Sequence, residues 1–179
     1  MPTAVLQNIP AATWSVDSVH SSAGFAVKYM VSTYRTGFER FDATLDTTGE
    51  EPKLVGTVDP TSIRTKDEHF HEHLQSPEFF DSATHSELRF ASTSFQADGD
   101  ALVVAGELTI KGNTRPVQAR GTLTPPYEDQ FGNERIGVVL EAAVDRTAFG
   151  LDWNADLPKG GKALANEITL EIELFLVRG

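Results

Sequence analysis

The stretch Lys66 to Asp81, KDEHFHEHLQSPEFFD, sets three histidines within five positions and then closes on two phenylalanines. On a helix, His69 and His73 fall four residues apart on one face with Glu72 beside them. HFHEH then matches the H-x-x-E-H pattern, in which two histidines hold zinc and a glutamate acts as base. On a strand, His69, His71 and His73 point the same way, and three imidazoles with an open fourth position suit a catalytic zinc. A metal-dependent enzyme using His69, Glu72 and His73 is therefore one reading. The other is a short polar-faced helix that buries Phe70 and Leu74 at i and i+4 and leaves its histidines partly in solvent. A five-residue pattern arises easily by chance in a charged segment, and the protease version needs a further carboxylate on a later helix. That favours the second reading, with no metal and no cofactor.

Asp17, His20, Ser21 and Ser22 bring together the residue types of a nucleophilic site. Neighbours on a strand point to opposite faces, however, and no G-x-S-x-G elbow is present, so Asp17 and His20 are expected to close a turn between the first two strands. Lys159-Gly160-Gly161-Lys162 lacks the strand, spacing and Ser/Thr of a phosphate loop and reads as a surface loop. The scattered cations Lys28, Arg35, Arg64, Arg89, Arg115 and Arg146 read as ordinary surface or edge ion pairs. Phenylalanines and tryptophans recur near strand ends, which suits either a solid core or an apolar cavity.

The elements that must position these residues are mostly strands. In Ile168 to Leu176, ITLEIELFL, the residues Ile168, Leu170, Ile172, Leu174 and Leu176 share one face while Glu171 and Glu173 take the other. Similar alternation marks Leu88 to Phe95, Ala101 to Ile110, Arg115 to Leu123 and Ile136 to Val144, separated by turn signals such as Lys111-Gly112-Asn113. Thr13 to Asp17, Ser22 to Val31, Gly37 to Asp46 and Leu54 to Val58 complete the set, with one helix between Thr65 and Gln75. An all-β antiparallel barrel of about eight strands, with one short helix near its mouth, removes the exposed edges of so many strands. Such a barrel is filled by side chains or holds one elongated ligand.

The chain has 179 residues, 40% hydrophobic and 23% charged, which fits one domain over 1–179 with its core at about 13–177. A formal net charge of −11 with no Lys/Arg run argues against nucleic acid as a partner. Absence of cysteine excludes disulfides and thiolate chemistry. The opening MPTAVLQNIPAATW lacks a basic and then apolar leader, and no window approaches 18 consecutive apolar residues, so a cytoplasmic protein with no stable membrane insertion is expected. An isologous homodimer is the default for such a barrel.

Six ordered motifs carry a family resemblance. They are Trp14-x-x-Asp17-x-x-His20-Ser21-x-x-Gly24-Phe25; Gly37-Phe38-x-x-Phe41-Asp42; Asp67 followed by His73-Leu74-x-Ser76-x-x-Phe79-Phe80-Asp81; Phe90-x-Ser92; Gly106 to Val117, GELTIKGNTRPV; and Asp145-Arg146-x-x-Phe149-Gly150. In this order the chain resembles the YceI-like family of lipocalin-like polyisoprenoid-binding proteins from about Thr13 to Val177. The resemblance implies an extended barrel with a long apolar channel. It also implies a ligand class of polyisoprenoids, isoprenoid quinones or long-chain amides, and no conventional zinc site at His69 and His71. Many relatives are periplasmic with a signal peptide, and many have a histidine where Tyr29 follows Lys28.

The expected function is therefore non-catalytic binding, storage or carriage of a long apolar isoprenoid, quinone or fatty-amide ligand in a bacterial protein. The expected lining is Phe25, Phe38, Phe41, Phe79, Phe80, Phe90, Leu108, Phe149 and Trp153, with His20, Lys28, Tyr29 and Arg146 as polar candidates at the entrance or wall. The competitors are the metal-dependent enzyme and a stress-related structural protein with a solid core.

Overall fold

The computed structural model describes residues 6–179; residues 1–5, the start of the stretch read above for a leader, lie outside the described residues. Ten antiparallel strands, β1 (Thr13–Val16), β2 (Ser22–Tyr29), β3 (Ser32–Phe38), β4 (Phe41–Asp46), β5 (Lys53–Val58), β6 (Leu88–Asp98), β7 (Ala101–Ile110), β8 (Asn113–Glu128), β9 (Glu134–Asp145) and β10 (Leu164–Arg178), form one sheet. Pairing of β1 with both β4 and β10 closes a ring through β5 to β9, so the lipocalin-like barrel has eight strands around it. The remaining pair, β2 and β3, continues β1 and β4. Val16 faces Leu176 and Ser22 faces Glu173 on the same edge of β10, with the residues between bulging out as a turn.

Two expected strands differ: one is shortened, the other is divided, and most of β3, Ser32 to Thr36, lies outside the strands expected from the sequence. Ser22 to Val31 ends at Tyr29, because Met30 adopts a left-handed φ of 46° and the chain folds back so that Tyr29 pairs with Ser32. Gly37 to Asp46 breaks at Glu39-Arg40, between the end of β3 and the start of β4. Neither turn carries the Asn-Gly or Asp-Gly signature that marks a hairpin in sequence. The turn at Lys111-Gly112 meets the rule only in its glycine, with Lys111 also left-handed at a φ of 52° beside Gly112 at 75°.

Beyond Val58 the row beside β3 is continued by irregular chain, in which Ile63 bridges Phe38, and then by the helix α1 (Glu68–Gln75). The Asp67 carboxylate accepts from the His69 amide and starts the helix there rather than at Thr65. Two hydrophobic clusters divide the interior. One gathers Trp14, Leu45, Leu102, Val104, Ile136 and Leu176; the other gathers Phe38, Ile63, Leu74, Phe79, Phe80 and Phe149 beneath α1. No helix among the described residues is long and apolar enough to cross a membrane.

Candidate functional site: an apolar cavity under the helix

Strand β10 measures the interior from end to end. Its inward side chains Leu164, Ile168, Leu170 and Ile172 are only partly covered because they border empty space, whereas Leu174 is buried and Leu176 is 0% exposed. The space is a cavity of about 650 Å³, within the range of small-molecule sites. Small inward residues on five strands, Ala23, Ala43, Gly56, Ala119 and Ala142, leave the room that larger side chains would fill. In β7, Gly106 serves the same end: a Cβ there would lie 2.5 Å from the Phe90 ring, which rests against the bare backbone.

Aromatic rings seat α1 on the barrel. Phe70 meets Tyr34 edge-on at 5.6 Å, Phe80 meets Phe38 at 5.9 Å, and His73 stands edge-on to both Phe79 at 5.0 Å and Trp153 at 5.1 Å. Contacts of this kind add about 0.5–1.5 kcal/mol each beyond area burial. The His73 Nε2 lies 2.7 Å from a Glu78 carboxylate oxygen. Burial also pushes the Tyr34 hydroxyl pKa up, against a weaker opposing hydrogen bond with Thr36.

Arg146 is the charged residue of the buried wall, at 4% exposure. Its guanidinium donates to the carbonyls of Ala165 at 2.8 Å, Leu151 at 2.6 Å, Trp153 at 2.8 Å and, more weakly, Leu164 at 3.4 Å. Burial lowers its pKa, opposed by the charges of Asp145 and Asp152. It thus ties the end of β9 to the loop after it and to the start of β10, which corrects its reading as a surface ion pair.

Of the expected lining, Phe25, Phe38, Phe41, Phe79, Phe80, Phe90, Leu108, Trp153, Tyr29 and Arg146 border the cavity; His20, Lys28 and Phe149 do not. Phe149 is packed in a 3-10 turn behind the wall. Lys28 points outward because Phe25, Val27 and Tyr29 alternate inward. His20 sits in the β1–β2 turn, where its Nδ1 lies 3.0 Å from Asp17 Oδ2 and its ring packs on Phe175, while Ser21 Oγ accepts from the Phe175 amide. That is the turn-closing role, remote from the cavity.

His69, Glu72 and His73 do not assemble a ligand set: among the described residues no group of three or more His, Asp or Glu is placed to hold a metal. His71 instead lies 2.9 Å from the Thr61 carbonyl through Nε2. The sequence reading missed Tyr34, Phe70, Val117, Ile168 and Leu170 as lining, although the alternation of β10 marks the last two as inward.

The profile of the YceI-like domain matches residues 14–176. The chain belongs to the YceI-like family. A UPF0312 protein of Staphylococcus aureus strain MW2 is 30% identical over 166 residues, covering 88% of this chain and 93% of that one. The crystal structure of Burkholderia cenocepacia BcnA superposes with a TM-score of 0.75 at 21% identity, covering 89% of this chain and 98% of that chain. A polyisoprenoid binding domain from Saccharophagus degradans, implicated in plant cell wall breakdown, superposes with a TM-score of 0.68 at 13% identity, covering 94% and 99%. These structural likenesses establish the YceI-like barrel as the shared fold.

Proposed function

We propose that this YceI-like barrel binds and carries one long apolar ligand of isoprenoid, isoprenoid-quinone or fatty-amide type, and performs no chemistry on it. The observation that carries this reading is the hollow, closed-ended cavity, whose wall is aromatic and aliphatic almost throughout. Each methylene withdrawn from water contributes about 0.8 kcal/mol, so a long tail binds well without a charged contact. Two polar wall groups are already engaged, Arg146 with backbone carbonyls and His73 with Glu78, which supports binding over catalysis. The Saccharophagus degradans domain, a polyisoprenoid binder of like fold, supports the same ligand class.

The test is a native mass spectrum of untagged protein against its denatured mass. An excess of several methylene-rich units that is lost on denaturation and extracts into organic solvent is the expected result. Phe90→Asp should abolish the excess while leaving a folded barrel. Wild type without bound or exchangeable lipid, even after incubation with isoprenoid alcohols, overturns the proposal.

A further inference from the structure

The β2–β3 turn exposes Tyr29 at 39%, Met30 at 45% and Val31 at 99%, a run of apolar surface at the end of the barrel where the cavity meets solvent. Tyr29 belongs to both surfaces, since it also lines the cavity with Ser32, Thr33 and Tyr34. A second tip stands beside the first. The Met30 amide donates to the Ala163 carbonyl, and the Ala163 amide donates to Ala155, so the hairpin ending in Leu157 to Gly161 extends the sheet next to β2. Its tip carries Pro158 and Lys159, both exposed.

Charge runs locally against the rest of the chain. The two tips hold Lys28, Lys159 and Lys162 against one carboxylate, Asp156, which pairs with Lys162, although the formal net charge of the protein is −11. At physiological salt a charge is felt over about 8 Å, so the acidic body beyond that reach does not cancel these lysines. Glu68 and Glu72 on α1 and Asp152 are exposed on elements of this same end, so attraction falls on the two tips rather than on the whole rim.

We propose that the paired tips Met30-Val31 and Pro158-Lys159 dock the open end of the barrel on a lipid bilayer bearing anionic headgroups. The apolar turn enters the headgroup layer, the lysines meet phosphates, and Tyr29 joins the bilayer interior to the cavity. Apolar anchors flanked by lysines bind a membrane surface reversibly, without spanning it. The inference rests on the ligand reading above and adds the source of the ligand: it passes from the bilayer into the cavity without crossing water.

The test floats the full chain with vesicles of equal parts phosphatidylglycerol and phosphatidylcholine, and separately measures uptake of geranylgeraniol from detergent micelles. Val31 and Lys159 do not line the cavity, so Val31→Asp and Lys159→Glu should keep micellar uptake. Val31→Asp should weaken vesicle binding about tenfold and slow uptake from vesicles in step, the scale expected for losing one buried aliphatic side chain. Lys159→Glu should weaken binding further as salt is lowered. Equal flotation of wild type and Val31→Asp overturns the docking proposal. So does a wild type that fills from micelles but never floats, an outcome that points to a protein donor. A tip-dependent flotation without any geranylgeraniol uptake supports docking and instead removes the ligand reading.

Discussion

The two ends of the barrel share strands β5 to β10 and draw on the same residue types, yet one is solid and the other hollow. At the closed end Trp14, Leu102, Val104 and Leu176 have no exposed surface, and Leu6 and Ile9 of the N-terminal segment pack beneath them. At the open end Phe25, Phe90, Ile168 and Leu170 are equally apolar but keep a free face. Stability and binding are thereby assigned to different lengths of the same strands: interiors gain from dense contact, and a ligand site must forgo some of it.

Truncating each end in turn gives the sharpest contrast. Trp14→Ala should destabilise by about 3–5 kcal/mol, because it opens a void in packed surroundings. Ile168→Ala should cost about 1 kcal/mol, since its side chain already borders space and little more than its own transfer energy is lost. Paired urea melts measure both, and equal costs would erase the distinction.

Arg146→Met comes next, at about 2–3 kcal/mol, because it strips the donors from buried carbonyls of Leu151 and Trp153. Its effect should be local to the open end, read as faster amide exchange over 151–165 while β9 at Ile136 and Val138 stays protected.

Ala142→Phe reverses the logic by filling the hollow. Stability should change by less than about 1 kcal/mol while bound lipid is lost, since the ring enters space that a tail would occupy. A large destabilisation would mean that the space is smaller or more rigid than described.

The smallest effect belongs to a surface clasp near the closed end, where Arg135 donates to Asp129 at 2.6 Å and Asp17 at 2.9 Å and lies over the Phe175 ring. The guanidinium, aided by the amides of Asn133 and Phe131, lowers the Asp129 pKa from 3.8 to about 2. A depressed carboxylate contributes stability that is present above its unfolded value and lost as pH falls through the folded one. Acid unfolding of Asp129→Asn should accordingly be flatter than wild type as pH drops from 3.8 to about 2.

The alternation of β7, β9 and β10 made the barrel legible, because period 2 fixes which side chains face inward. It could not show the cavity: Leu170 and Leu176 are the same residue on the same face, and only the partners across the interior make one border space and the other packed. The same alternation sets Lys28 opposite Tyr29 and so keeps it out of the cavity wall. Phe149 escaped because a 3-10 turn follows no two-residue period, and Arg146 because its acceptors are backbone carbonyls, which a sequence presents everywhere alike. The Met30 turn was hidden for want of a glycine or asparagine at a left-handed position.

Strand β10 starts beside Tyr29 at the open end and finishes beside Trp14 at the closed one, where the Gly179 amide donates to the Thr13 carbonyl. The register shift between Leu164 and Ile168 takes up two of its residues, so at about 3.3 Å per residue the two lie roughly 40 Å apart. A label, bead or sensor surface joined after Gly179 would therefore hold the molecule by its base, with every copy presenting its opening away from the support.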